Sequence, residues 1–452
     1  MERKVLSAAG MYNKLHEDFK GILDHRTNTK NIRISIADAC SSVLAMFALK
    51  SPSLLAFEKD TIAPTTGSNL KNLFNITNVA SDTQTRDILD PIKTEFFRPI
   101  FKGLFADAQR GGTLKNFDFI EGTYLLTLDG TLVFSSNDVH CDFCLEKHHK
   151  DGSISYSHQM LGPAIVHPGC KSVIPLYPEM INKQDGNQKN DCERNAGKRI
   201  LEKIREDYPR LKFTVIEDGL GSNIPHIKAI EECGYNYIIG AKPGDHKYLF
   251  DWVGHDNRAR TYEITFYEGE KFKKKITHQF RYINDVPLND SDENFLVNFI
   301  DYEQITTASY NNGDPFIEVD RKKFSWVTNI KITKDNILQI MRGGRARWKI
   351  ENEVFNTLKN QGYNLEHNFG HGFENLCNNF VMLMMLAFMV DQLQQLCCSQ
   401  FAKALEKSGN KRSLWQSIRA LFEKFFIESW AILFDAIINP ENYSVPLRPQ
   451  TG

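Results

Sequence analysis

Three acidic residues, Asp129, Asp218 and Glu351, lie in sequence contexts where a carboxylate could take part in catalysis or could simply be exposed to solvent. Asp129 lies between two short apolar runs in YLLTLDGTLVFSS. Asp218 follows the apolar run of KFTVIEDGLGSN, where a predicted strand ends, and the carboxyl ends of strands in open α/β sheets face the ligand crevice. Glu351 lies in an apolar helical stripe of RWKIENEVF, where a carboxylate is costly unless it is paired or bound to metal. Such a set of oxygen ligands suits Mg²⁺, and two ions about 4 Å apart can promote phosphodiester chemistry.

Each of these carboxylates also has a simpler interpretation. The sequence around Asp129 is typical of a two-residue hairpin turn, and Asp218 could be an acidic cap of the next helix. Glu353 points about 200° away from Glu351 around a helix, so only one of the two can face the aspartates. Arg347 lies one turn before Glu351 and could pair with it, which favours Glu351.

The composition is that of an ordinary globular protein long enough for two to four domains. The 452 residues are 41% hydrophobic and 25% charged, with a net charge of -1. Bulk charge therefore does not favour nucleic-acid or membrane binding, and any DNA-binding role must come from local patches. Nine irregularly spaced cysteines and the lack of an apolar leader predict a reducing, cytoplasmic setting. The most apolar segment, 381–390, is about half a membrane span, which predicts a core helix and no membrane partner.

The elements that would position the carboxylates form an α/β pattern in the first half of the chain. Strand-like runs occur at 124–134, 160–167, 172–177, 212–217 and 235–241, with helices at 191–207 and 224–232. This order predicts a mixed sheet, with antiparallel strands followed by parallel ones. Residues 246–325 read as a β-rich insertion. Near one hairpin tip it carries four lysines, Lys271, Lys273, Lys274 and Lys275. These side chains could be solvated surface charges, or they could contact DNA phosphates.

Helices are predicted at both ends of the chain and around Glu351. In residues 1–95, a short helix, a turn at 77–80 and a helix capped by Ser81 resemble a helix-turn-helix, although an ordinary helical hairpin fits equally well. Gln84 and Arg86 lie on the early turns of that second helix and could reach base edges. Thr333 could cap a helix that the pair at 343–344 ends, and a second helix is predicted over 345–361. Residues 373–438 read as two or three further helices.

The motifs together resemble the DDE transposases of bacterial insertion sequences. The pieces that carry the resemblance are LTLDGT, VIEDGLGSN and RWKIENEVFNTLKNQGYNLEHNFGHG, supported by SDTQTRDILD, YSHQMLGPAIVHPG and WVTNIKIT. The branch that is similar has a β-rich insertion between the second Asp and the Glu. The resemblance implies a ribonuclease-H-like mixed sheet flanked by helices, divided into 96–245, the insertion 246–325 and 326–372, with a helical DNA-binding region at 1–95 and further helices at 373–452. It implies that Asp129, Asp218 and Glu351 bind two Mg²⁺ ions, which Mn²⁺ could replace.

The last motif of this family, Y-x2-R-x3-E-x6-K, is matched only in part. Arg347 and Glu351 fit its centre, whereas Gly344 stands at the Tyr position. Leu358 stands at the Lys position, and Lys359 follows one residue late. A shift of one residue turns a side chain about 100° around a helix, so Lys359 is a doubtful substitute for the family's phosphate contact.

The resemblance also implies an activity and its partners. Water attacks a phosphodiester at the element's end and frees a 3′-hydroxyl, which then attacks target DNA without a covalent enzyme intermediate. The substrates would be double-stranded DNA with terminal inverted repeats and target DNA, and a homodimer would pair two ends. Arg347 would act at the catalytic site. DNA phosphates and bases would contact the neighbouring side chains Arg345, Trp348, Lys349 and Lys359. The alternative for Trp348 is a buried position in the core.

Two rival functions and one separate motif stay open. A catalytically inactive, transposase-derived DNA-binding protein would keep the same motifs. A phosphatase of the haloacid-dehalogenase type shares LDGTL, but it needs a nucleophilic Asp where Thr127 stands. The segment HCDFCLEKHHKDG permits either a zinc site or free thiols, with candidate ligands at Cys141, Cys144, His148, His149, His158 and Cys170.

Overall fold

The computed structural model describes residues 3–27, 32–183, 191–269, 273–309 and 316–443. Within them a single sheet contains the strands β1 Tyr124–Ser136, β2 Leu145–His148, β3 Ile154–His167, β4 Cys170–Pro175, β5 Glu179–Ile181, β6 Phe213–Glu217, β7 Asn236–Gly240, β8 Arg260–Glu268, β9 Lys273–Pro287, β10 Leu296–Ser309 and β11 Ile317–Thr328. The helices before β8 are α1 Ala8–Phe19, α2 Ile36–Ala48, α3 Leu54–Thr61, α4 Pro64–Phe74, α5 Asp82–Leu89, α6 Arg98–Arg110, α7 Glu193–Asp207, α8 Ile224–Glu232 and α9 Lys247–His255. The later helices are α10 Ile337–Arg345, α11 Asn356–Asn360, α12 Leu376–Cys397, α13 Ser399–Ser408, α14 Lys411–Lys424 and α15 Trp430–Ile438.

The sheet has the mixed architecture that the sequence predicts. Its strand order is β2-β3-β1-β6-β7-β11-β10-β9-β8, and β4 and β5 also pair with β3. Strand β1 pairs antiparallel with β3 and parallel with β6, which pairs parallel with β7. Parallel neighbours need crossover connections, and helices α7 and α8 lie in those connections. The fold is the α/β, ribonuclease-H-like class expected from the sequence.

Strand β1 is continuous through the position where a hairpin turn was the alternative. Asp129 pairs with Gly162 and the next residue pairs with Leu161, so both stay within the antiparallel ladder with β3. The turn interpretation of Asp129 is therefore wrong. Asp129 instead lies on a strand that has neighbours on both sides, β3 and β6.

The β-rich segment after β7 continues this same sheet. Strand β11 pairs antiparallel with β7, and β10, β9 and β8 follow in order. Ring contacts line one face of this extension, such as Phe324 against Trp326 at 5.6 Å between centroids. At the hairpin tip, Lys274 lies 3.5 Å from Glu268, while Lys271 falls outside the described residues.

The helices from the two ends of the chain pack against each other. Helix α2 contacts α12, and α4 contacts α14. Trp430 stacks on Tyr12 at 5.1 Å between ring centroids. At the end of α2, Lys50 donates to Asp391 of α12 at 2.7 Å, and both side chains are almost fully buried. Of the described helices, α12 alone has the length and apolarity to cross a membrane, and its apolar window is completely buried inside the protein. The prediction of a core helix over 381–390 is confirmed.

Helix α5 begins as the sequence predicts. Ser81 caps it, and the side chain of Gln84 accepts from the Ser81 amide in a capping box. Arg86 pairs with Asp82 at 2.5 Å on the same helix. The helix packs against α2, α3 and α12. Contacts between DNA and Gln84 or Arg86 stay a prediction.

The helix predictions in the second half agree with the structure around α10 and differ from it in the C-terminal region. The glycine pair at 343–344 lies in the last turn of α10, which ends at Arg345, so the predicted helix end is met to within one residue. The predicted cap is also present, because the Thr333 hydroxyl accepts from the Asn336 amide at 3.4 Å and the Asn336 side chain accepts from the Thr333 amide at 2.9 Å. The α-helix itself begins after Asn336. The C-terminal region holds four helices, α12 to α15, where two or three were expected.

Candidate active site

Arg347 joins two of the three predicted carboxylates. Its Nη1 lies 2.8 Å from Glu351 Oε1 and 3.5 Å from Asp129 Oδ2. Asp129 comes from β1, while Glu351 lies in a π-helical turn, Ile350–Phe355, just after α10. Short π-helical turns are rare and occur often at functional sites. The expectation that Glu351 faces the aspartate strand is met, through the guanidinium between them.

Asp218 reaches the same cleft from the neighbouring strand. It follows directly after β6, the parallel neighbour of β1, and its carboxylate accepts from the Leu220 amide at 2.9 Å. The capping interpretation is therefore correct locally, since Asp218 precedes a short 3-10 turn. The exposed Asp218 nevertheless lines one cavity together with Asp129. Capping the turn and facing the cleft are compatible roles.

A fourth carboxylate, Glu193, lies in this cleft and was missed by the sequence reasoning. It is the first residue of α7 and lines the cavity shared by Asp129 and Asp218. Its Oε1 is so close to β1 that a Cβ added to Gly130 would lie 2.1 Å away. A side chain at position 130 would therefore displace the Glu193 carboxylate. Its only signal in the sequence was an acidic residue in the first turn of a helix, a common feature that favours the helix dipole.

Burial and the neighbouring carboxylates disfavour the charged form of two acids in this cleft. Burial raises the pKa of Asp129 to about 6, with Arg347 opposing the rise and Glu351 and Glu193 adding to it. Burial also raises the pKa of Glu193, and the nearby carboxylates of Asp218 and Glu217 raise it further. Oxygen donors that repel one another in this way fit a hard divalent cation, which would relieve the repulsion.

The residues around Arg347 face different parts of the molecule. Arg345 donates to Gln304 of β10 at 2.7 Å, and Lys349 donates to the Cys170 carbonyl at 2.8 Å. The side chains of Arg345 and Lys349 therefore already have hydrogen-bond partners within the protein. Trp348 is 49% exposed with the Arg347 guanidinium 5.4 Å from its ring centre. Its predicted place in a buried apolar stripe is wrong, and an aromatic face is available to solvent.

The departures from the family's last motif have a steric explanation. A Cβ on Gly344 would lie 2.5 Å from the Trp326 indole nitrogen, so a tyrosine has no room there. Leu358 is fully buried, where a lysine would lose its hydration. Lys359 points elsewhere and pairs with Glu366 at 2.7 Å. The chain thus keeps the Arg and Glu of the motif, whereas the packing around its Tyr and Lys positions favours a glycine and a leucine.

The family comparison agrees with this arrangement. A family model described as Transposase DDE domain matches residues 167–389. The matched stretch contains Asp218, Arg347 and Glu351 and begins after the strand that carries Asp129. A search of curated proteins found no match. The chain belongs to the DDE transposases of insertion elements, an enzyme family that acts on DNA and generally uses divalent metal ions.

Proposed function

We propose that this transposase cleaves DNA at the ends of an insertion sequence and joins the freed ends to target DNA. The observation that supports the proposal is that Asp129 lines one cavity with Asp218 and shares the Arg347 guanidinium with Glu351, in a chain that belongs to the DDE family. These three residues would hold two Mg²⁺ ions, or Mn²⁺ in their place. The ions would supply Lewis-acid stabilisation of charge on the reacting phosphodiester oxygens.

The residues of the chain have distinct tasks in this scheme. Asp129, Asp218 and Glu351 supply fixed negative oxygens that hold the cations, with Glu193 adding a fourth. Arg347 offsets part of their charge and lies at the edge of the cleft, where a guanidinium can hold a DNA phosphate.

In the first reaction, water adds to a phosphorus atom at the element's end. The P–O bond to the 3′ oxygen breaks, and that oxygen takes a proton. In the second reaction, the freed 3′-hydroxyl loses its proton and attacks a phosphodiester of target DNA, so that one P–O bond forms as another breaks.

DNA contacts are proposed for six side chains on four parts of the surface. Exposed Trp348 is suited to stack on an unpaired base, and Arg345 and Lys349 are suited to backbone phosphates once DNA replaces their present partners. Lys359 is the weakest of the proposed contacts because Glu366 already neutralises it. Arg86 and Gln84 on α5 are proposed to contact the terminal inverted repeats. We further propose a homodimer that pairs two DNA ends in the cytoplasm. We also propose that the chain consists of a DNA-binding region at 1–95, a catalytic core formed by 96–245 and 326–372, the insertion 246–325, and a C-terminal helical region at 373–452.

A cleavage assay distinguishes this transposase from an inactive DNA-binding derivative. Purified protein is incubated with Mg²⁺ and duplex DNA that carries the element's terminal repeats, and nicks are mapped on denaturing gels. We expect cleavage by the wild type, and loss of cleavage with retained DNA binding for Asp129→Asn. A wild type that binds the repeats tightly and never cuts them would support the inactive derivative instead.

A further inference from the structure

Four metal-ligating side chains meet at a second place, outside the carboxylate cleft. They are Cys141 and Cys144 between β1 and β2, His158 on β3 and His371 just before α12. One ligand atom from each lies within 4.8 Å of all the others. Three of the four side chains are buried, and Cys141 is half-buried. The proximity of Cys141 and Cys144 follows from their C-x2-C spacing, but His371 comes from more than 200 residues further along the chain.

The distances between the ligand atoms are those of a tetrahedral site. Cys141 Sγ lies 4.0 Å from Cys144 Sγ and 3.4 Å from His158 Nε2, and Cys144 Sγ lies 3.2 Å from His371 Nε2. Zinc bonds of about 2.3 Å to sulfur and about 2.0 Å to nitrogen place tetrahedral ligands about 3.5 to 3.8 Å apart. A disulfide requires sulfur atoms about 2.05 Å apart, so the two cysteines are not bonded to each other.

Both imidazoles are oriented to present Nε2 to the centre. His371 Nδ1 donates to the Gly372 carbonyl at 2.9 Å, and a carbonyl oxygen can only accept. The neutral ring therefore carries its proton on Nδ1 and leaves the Nε2 lone pair for a ligand. His158 Nδ1 lies 3.0 Å from Asn182 Oδ1 in the same arrangement. Partners of this kind on the outer nitrogen are the usual support of metal-bound histidines.

We propose that Cys141, Cys144, His158 and His371 bind one structural Zn²⁺ ion. Two thiolates and two imidazoles in tetrahedral array favour zinc over Mg²⁺, which prefers oxygen ligands. Four protein ligands leave no open position for a substrate, so the ion has no direct part in cleavage. His148, His149 and Cys170 are not members of this cluster.

The site connects the catalytic strand to the C-terminal helices. The ring of Phe134, near the end of β1, lies 4.5 Å from the His371 ring and 6.2 Å from the His158 ring. The segment around His371 is also anchored by Asp90, whose carboxylate accepts from the amides of 373 to 376 at the start of α12. A metal ion that binds both the cysteines and His371 would join segments more than 200 residues apart. Its binding free energy would help to offset the conformational entropy lost when these segments come together, and would stabilise the junction between sheet and helices.

Metal analysis of the full-length protein tests the site without reference to its activity. The wild type, Cys141→Ser/Cys144→Ser and the control His148→Gln are purified after growth with zinc and dialysed against EDTA. His148 is an exposed neighbour in the same segment and lies outside the cluster. We expect about one zinc per chain in the wild type and the control, and less than about a tenth of that in the double variant. Equal zinc in all three proteins would overturn the proposal, because the metal would then lie elsewhere.

Cobalt substitution of the wild type gives a second readout should the double variant not fold. Tetrahedral Co²⁺ with two thiolates gives strong visible bands and a sulfur-to-cobalt charge-transfer band in the near ultraviolet. We expect both to appear as one equivalent of Co²⁺ is added to the zinc-free wild type and to vanish when zinc is returned. A wild type that holds no zinc and gives no such bands refutes the site. A mass two daltons low, reversed by reductant, would instead identify a redox-active cysteine pair.

Discussion

Replacing Asp129 by Asn should stabilise the folded protein while it abolishes cleavage. The carboxyl pKa is about 6 in the folded chain, against about 3.9 for an unperturbed aspartate. The folded state therefore binds this proton more tightly than the unfolded state, so the wild type loses stability as the pH rises from about 4 to about 6 and stays at the lower level above that. A difference of about two pKa units corresponds to about 3 kcal/mol. With the side chain 27% exposed, solvent screening reduces this to about 2 kcal/mol.

Urea unfolding in EDTA at two pH values measures the effect. At pH 7.5 we expect Asp129→Asn to exceed the wild type in free energy of unfolding by about 2 kcal/mol, and at pH 5 by about half as much. The difference should vanish below about pH 4, where both states of the wild type are protonated. Asp218→Asn is the matched control. Its carboxylate is exposed and caps the Leu220 amide, so its replacement should change stability by less than about 0.5 kcal/mol.

Addition of Mg²⁺ separates charge repulsion from other causes of stabilisation. At 100 times its dissociation constant, an ion that binds only the folded wild type adds about 2.7 kcal/mol. The variant lacks a ligand and should gain much less, so its advantage over the wild type should disappear. The reasoning fails if Asp129→Asn is no more stable than the wild type in EDTA at pH 7.5. It also fails if Mg²⁺ stabilises both proteins equally.

Three further substitutions test other parts of the structure. Gly344→Ala places a methyl group against the Trp326 indole and should lower the free energy of unfolding by about 1 to 3 kcal/mol in urea, whereas an unchanged midpoint would contradict the close packing. Lys50→Met leaves buried Asp391 without its cation and should cost about 3 to 5 kcal/mol. Adding Asp391→Leu should recover much of that loss, and purely additive losses would argue against the pair. Glu193→Gln should raise the Mg²⁺ concentration for half-maximal cleavage about 10-fold with DNA affinity in EDTA unchanged, and an unaltered metal requirement would exclude this residue from the site.

The sequence was informative wherever local pattern and tertiary structure agree. Strand runs rich in β-branched residues predicted the sheet, and the apolar stretch at 381–390 predicted a buried helix. The pairing of Arg347 with Glu351 follows from helical spacing alone. By contrast, the neighbourhood of Asp129 had the local signature of a turn. Only the pairing of β1 with both β3 and β6, a long-range property, keeps that residue in a strand.

The parts that the sequence did not predict depend on distant packing. Gly343 and Gly344 mark the end of α10 as the sequence predicts, but the pattern gave no sign that Phe119 and Trp326 occupy the space that side chains would need there. Trp348 has the spacing of a core residue, yet the change from α-helix to π-helix after α10 alters the angular register of the residues around it. His371 could not be paired with the cysteines by spacing, because more than 200 residues separate them.

The pairing of β11 with β7 limits how this protein could be shortened. Because strands β8 to β11 continue the core sheet, removing 260–328 would leave β7 with an unpaired row of amides and carbonyls. That exposed edge would include the apolar residues Ile238 and Ile239, beside strand β6, which Asp218 follows. An uncovered, apolar edge strand promotes pairing between chains and aggregation. The segment therefore acts as a permanent cover for the catalytic half, and it cannot be exchanged as a separate module without a replacement strand.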